Sequence, residues 1–244
     1  MIHGLLDQIQ PSVSDDEDDQ PDVDFAFEGD RSDCKTLVIC GCGPASAFAG
    51  EVFALRPLAW TFKPQDSIRV FPPLPTSPKF CEVADAEGVV VVLLDAPVAA
   101  EYAVAWADGL LRSLDGAHGA PAVLFLDRIL RSEWCSCPRP EEPHLAGLWT
   151  SCSQPFELLP ALPAPSIVQG LAAAVLASCE ARSTKCIVAM TLQDGAHLSE
   201  RCLQGFEGLV PLLQELQVIQ TWQRPSYREA LRKVIPPASM SIYA

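Results

Sequence analysis

Residues 88–94 read Gly-Val-Val-Val-Val-Leu-Leu. Four consecutive β-branched side chains crowd the preceding turn of a helix but pack well on a pleated strand. The run has no polar alternation, so neither face of that strand can be left to water, and it predicts a strand covered on both sides, as in parallel sheets. Residues 36–40, 122–126 and 186–190 are apolar runs of the same kind. Helical patterns separate them. Residues 98–114 form one, ending at Asp115 and Gly116, and residues 167–179 form another, with Ile167, Leu171, Val175 and Cys179 spaced four apart on one face. Residues 199–217, interrupted near Pro211, and residues 226–235 supply two more. Strands alternating with helices predict an α/β fold: a single three-layer domain whose mixed, largely parallel central sheet is flanked by helices.

Two stretches fall outside that pattern. Residues 71–78 hold four prolines and are expected to be irregular, and residues 132–165, rich in Pro, Cys, Trp and Ser, are expected to form a loop or lid. Charge marks the beginning of the chain. Of 31 acids, eleven lie in residues 1–33 against one base, Arg31, which predicts a disordered acidic tail over 1–33 and a domain over 34–235. An extended segment, 236–244, follows Pro236 and Pro237. The net charge is −14 and no basic stripe is present, which argues against nucleic-acid binding. No run approaches the roughly 20 apolar residues of a membrane span, and residues 2–9 are too short and polar for a secretory core, so a soluble, intracellular protein is expected. Ten cysteines in 244 residues, several inside apolar runs, suggest reduced thiols rather than a disulfide framework.

Sites of chemistry are few. Gly41-Cys42-Gly43-Pro44 follows a strand, where a dinucleotide fingerprint would lie, but Ser46 replaces the third small residue and Pro44 removes an N–H that a phosphate would use. An α/β enzyme or nucleotide-binding protein using this turn is the alternative reading, and a plain strand-to-helix turn explains it as well. Cys135, Cys137, His144 and Cys152 invite zinc, yet their spacing fits no common zinc pattern. Asp95 ends the strongest strand and is expected to cap the turn before Pro97. The sequence shows no Gly-x-Ser-x-Gly and no His-Glu-x-x-His, so no catalytic residue, cofactor or metal is assigned.

The chain closes on Ile242-Tyr243-Ala244. A hydrophobic residue, a tyrosine and a terminal residue form the tripeptide with which activators and chaperones dock between α subunits of the proteasome. There the apolar side chain lines the pocket mouth, the tyrosine supplies a flat body with a polar tip, and the carboxylate meets a lysine. A frayed terminus holding a tyrosine would carry the same residues.

Residues 165–179, Pro-Ser-Ile-Val-Gln-Gly-Leu-Ala-Ala-Ala-Val-Leu-Ala-Ser-Cys, resemble the P-x-I-V-x-x-L-x-A-A-V-L-x-x-C helix of the proteasome assembly chaperone 1 family. Residues 35–41 resemble that family's first core strand, residues 186–190 and 205–212 fall in the same order, and the ending resembles its I-Y-x terminus. The likeness covers most of 35–244, apart from the proline-rich stretch 64–87. It implies a non-catalytic chaperone, without cofactors, in the cytoplasm and also in the nucleus. It further implies a heterodimer with a proteasome assembly chaperone 2-like partner that binds proteasome α subunits, with Ile242, Tyr243 and Ala244 as the docking residues.

Overall fold

The structure is a computed structural model, and it describes residues 23–29, 34–64, 77–115, 119–136, 140–194 and 198–234. Its centre is the set of apolar runs. Strands β2 (Thr36–Cys40), β6 (Val89–Leu93), β7 (Ala122–Leu130) and β9 (Cys186–Gln193) lie in the order β6-β2-β7-β9, all parallel. Antiparallel strands close both sides: β5 (Lys79–Val83) and then β3 (Leu55–Pro57) beyond β6, and β8 (Leu145–Trp149) beyond β9. The sheet is mixed, with its parallel strands in the middle, as the uninterrupted apolar runs require.

Side chains of β2 divide between two cores. Leu37 and Ile39 point toward α2 (Ala100–Leu114) and α3 (Gly170–Ala181). Val38 and Cys40 point toward α1 (Pro44–Val52), α4 (Glu200–Gly205), a 3-10 turn (Phe206–Leu209), α5 (Val210–Glu215) and α6 (Tyr227–Val234). All five residues of β2 are buried. The three expected layers are present, and no helix among the described residues is long and apolar enough to cross a membrane.

Four features depart from the sequence reading. The boundary drawn at residue 33 is too late, because Phe25–Glu28 forms strand β1, paired antiparallel with β4 (Thr61–Pro64). Phe25 stacks on Phe62 at 5.0 Å, and Phe62 meets Trp106 of α2 edge-on at 5.4 Å. Phe27 contacts Trp60 at 5.3 Å and Phe80 at 5.6 Å. Gly109 makes room for this ribbon, since a β-carbon there would stand 3.0 Å from that of Phe25. The rest of the tail assignment, 1–22 and 30–33, and the segment 236–244 lie outside the described residues.

The stretch expected to be a lid contains β8, whose outer edge is closed by its own continuation: Gly147 N–H donates to Pro160 O at 2.9 Å and Leu162 N–H to Gly147 O at 2.8 Å. Helix α3 starts at Gly170 rather than Ile167. Gln169 is extended and Gly170 has φ +63°, so the helical phase does not reach back; Leu171, Val175 and Cys179 are buried while Ile167 is 59% exposed. Strands β7 and β9 run several residues past the apolar cores that announced them, into Asp127-Arg128 and Thr191-Leu192-Gln193.

The β1–β4 ribbon carries a prediction. Truncating a partly buried Phe costs less than the ~3–5 kcal/mol of a fully buried one. Phe27→Ala is therefore expected to lower the unfolding free energy by about 2 kcal/mol in urea denaturation, and removal of residues 1–29 by more. A tail that merely trailed in solvent would leave both unchanged.

Candidate functional site

The parallel strands place one crevice. From β2 the chain leaves through α1 toward β6, and from β7 it proceeds toward β9 on the other side, so the connections diverge at the carboxyl ends of two neighbouring strands. Open α/β sheets bind ligands at such a point. Here β2 ends opposite Leu126, at Cys40, while β7 continues, which brings Asp127 over the start of the Gly41 turn.

Gly41 is needed there. Its N–H donates to Leu126 O at 2.8 Å, and a β-carbon on it would lie 2.6 Å from Asp127 Oδ1. The same Oδ1 accepts the Arg128 N–H at 2.8 Å. The Arg128 side chain turns to the opposite face of the sheet and donates from Nη1 to Gln193 Oε1 at 2.9 Å. On the α3 side, Asp127 borders a cavity of about 180 Å³ with Ile129, Glu133, Gln169, Ala172 and Met190. Burial pushes the Asp127 carboxyl up from its ordinary 3.8 to about 6, and the Glu133 charge adds to this; the Arg128 N–H and guanidinium oppose it. Burial and the Asp127 charge push up the Cys42 thiol. Hollows of about 540 Å³ and 360 Å³ lie along the opposite ends of the parallel strands, where no connection diverges.

The glycine turn itself is closed. Ser46 Oγ reaches Gly41 O and Leu94 O at 3.1 Å. Early α1 amides are already used, Ser46 N–H by Gly41 O at 3.2 Å and Ala47 N–H by Gly43 O at 3.0 Å. Leu198 lies over Gly43, 3.7 Å from where a β-carbon would stand. A phosphate would have to displace these contacts beside a carboxylate, so the turn favours the plain strand-to-helix reading.

The remaining sequence candidates are dispersed. Asp95 makes an exposed ion pair with Lys79 at 2.9 Å. Cys135 donates to Glu133 O at 3.4 Å, Cys152 lies 3.4 Å from Thr150 Oγ1, and the His144 ring packs edge-on to Trp134 at 5.1 Å. Cys137 lies outside the described residues, and among those described no three of His, Cys, Asp and Glu are grouped to hold a metal ion. Ile242, Tyr243 and Ala244 also lie outside them. Asp127 was not singled out by the sequence. An acid directly after the five-residue apolar run 122–126, opposite a glycine that ends the neighbouring strand, is the signal that could have found it.

No protein-family model matches the chain, and no curated protein matches it. Solved structures do. PbaA from Pyrococcus furiosus, described as an archaeal homolog of proteasome-assembly chaperone, is 12% identical with a TM-score of 0.59, over 90% of this chain and 89% of its own. PbaB from the same organism, described as an archaeal proteasome activator, is 9% identical with a TM-score of 0.58, over 90% of this chain and 97% of its own. A Thermoplasma acidophilum protein described as of unknown function is 12% identical with a TM-score of 0.57, over 82% and 83%. The chain has the fold of these proteins. At such identities the likeness is one of architecture, and it does not single out assembly chaperone 1.

Asp127 sets a pH dependence. Its folded pKa is raised, so its proton favours the folded state: that stability is fully present below about 3.8 and is lost as pH rises through about 6. Asp127→Asn removes the titration while keeping an acceptor for the Arg128 N–H. The variant is expected to gain on the parent between pH 4 and 6 and to level off above, by at most about 3 kcal/mol at pH 7. Urea denaturation from pH 4 to 8 measures the difference, and two parallel stability profiles would contradict it.

Proposed function

We propose that this protein is a non-catalytic chaperone for assembly of the proteasome core particle. The supporting observation is that nine-tenths of the chain shares its fold with two archaeal proteins, one described as a homolog of proteasome-assembly chaperone and the other as a proteasome activator. The resemblance of residues 165–179 to the chaperone 1 helix and the ending Ile242-Tyr243-Ala244 point the same way. In this reading the protein acts in the cytoplasm and nucleus, paired with a chaperone 2-like partner, and Ile242, Tyr243 and Ala244 dock between proteasome α subunits.

Magnitudes define what the tail contributes. Burying the Tyr243 ring offers roughly 1.5–3 kcal/mol, and a charge-assisted contact to the Ala244 carboxylate a similar roughly 1.5–3 kcal/mol. Ordering three tail residues costs about 1–2 kcal/mol each. The net is small, so the tail binds weakly alone and gains when the folded body holds it near the same ring.

Tyr243→Ala, or one residue added after Ala244, is expected to weaken core-particle binding severalfold without changing the melting temperature or partner pairing. The extension is the sharper change, because it retains every side chain and displaces only the carboxylate. Unchanged affinity of the extended protein in a pull-down with purified core particles would rule out terminal-carboxylate docking. Failure of the unaltered chain to bind core particles or their α subunits at all would remove the chaperone reading itself.

A further inference from the structure

The cavity beside Asp127 joins apolar side chains to a carboxylate that makes no ion pair among the described residues. Ile129, Ala172 and Met190 are buried residues on its lining. None of the ion pairs among the described residues includes Asp127. The only hydrogen bond recorded to its carboxylate there comes from a backbone amide, that of Arg128. The Arg128 charge partly offsets the rise in the Asp127 pKa, but its guanidinium donates to Gln193 on the other face of the sheet. Glu133, the second acid on the lining, accepts the Leu130 N–H at 2.8 Å through Oε2. Packing over Gly41, rather than a countercharge, holds the Asp127 carboxylate at the cavity.

We propose that this cavity binds a small organic ammonium ion, its nitrogen at the Asp127 carboxylate and a short alkyl body against Met190, Ala172 and Ile129. Size, sign and placement each contribute. A dry cavity of about 150 Å³ accommodates a benzene-sized body, so about 180 Å³ takes a chain of roughly four to six heavy atoms. Two carboxylates on the lining oppose an anion and attract a cation, and a buried charge without a partner is costly until one arrives. A hydrophobic body with one polar anchor is the usual composition of a small-ligand site. Independent of the proteasome reading, the site lies at the divergence of the strand connections, where this class of sheet leaves room.

The groups facing Asp127 fix the pH at which this operates. Its charged neighbours are Arg128 and Glu133, and the thiols of Cys40 and Cys42, from the β2 side, are pushed upward by burial. The residue before helix α3, Gln169, also lines the cavity and does not titrate. Asp127 is the carboxyl that burial raises to about 6.

Titration of n-butylammonium chloride into the ¹⁵N-labelled full chain at pH 8, with ionic strength matched by sodium chloride, tests this through the Arg128 and Gln169 amide signals. Saturable shifts are expected with the amine and none with n-butanol. Affinity is expected to fall about tenfold at pH 5, where about a tenth of a carboxyl titrating near 6 remains ionised, and to be lost in Asp127→Asn. Shifts that fail to saturate, that n-butanol reproduces, or that are as strong at pH 5 as at pH 8 would each overturn the proposal. The pH comparison uses the unaltered chain, so it decides the matter even if the variant does not fold.

Discussion

The fold depends on one constraint: β2 must be covered on both faces. It is the strand through which the two halves of the sheet join, pairing in parallel with β6 on one side and β7 on the other. All five of its side chains are buried, and after Thr36 they alternate between the two cores, Leu37 and Ile39 in one and Val38 and Cys40 in the other. A strand of this kind is stable only when helices are recruited to both layers, and parallel neighbours require crossovers long enough to supply them. The α2–α3 layer and the layer of α1 and α4 to α6 are therefore consequences of the same short run. The antiparallel edges need less, and the chain closes them with local devices. Strand β8 is lined by residues 159–162, and β3 is only three residues long and ends in Pro57, which offers no N–H to a neighbour.

The carboxyl end of β7 is where stability and placement part company. Continuing the strand past Leu126 puts a carboxylate beside the backbone of Gly41, where it makes no ion pair among the described residues. Burial there disfavours ionisation, so at neutral pH the folded state carries a charge that an amide would spare it. Groups that cost stability in this way concentrate at sites that use them. The neighbouring residues support the position rather than neutralise it: Arg128 gives its backbone N–H to the carboxylate and its guanidinium elsewhere.

What was legible in the sequence follows from how local each signal is. Strands β2, β6, β7 and β9 announced themselves because both faces are buried, so their runs are apolar apart from Thr36 at the start of β2. Strand β1 was hidden because Phe25 and Phe27 alternate within a stretch dominated by acids, and their burial depends on Phe62, Trp60 and Phe80, far along the chain. Strand β8 reads Leu-Ala-Gly-Leu-Trp, with a glycine that Leu159 packs over, and only its register with β9 makes it a strand. The phase error at Ile167 came from extending a helical period through Gln169 and Gly170, whose backbone is not helical. Asp127 was missed because the strand was ended where its apolar run ended, and a site at a strand's carboxyl end begins just beyond that point.

The closed glycine turn and the open carboxylate fit together. A doubly wound sheet usually directs the positive end of its first helix into the crevice, where it favours anions. Here Pro44 removes one amide from that end, Ser46 and Ala47 turn theirs to Gly41 and Gly43, and Leu198 packs over the turn. Asp127 then supplies negative charge at the position a phosphate would approach. The architecture keeps the crevice, but these side chains reverse its electrostatic preference. A nucleotide at the Gly41-Cys42-Gly43 turn would meet both the missing donors and the repulsion, whereas a cation entering from the α3 side meets neither. The same features that weaken the reading as a nucleotide-binding enzyme therefore set the sign of whatever the crevice holds.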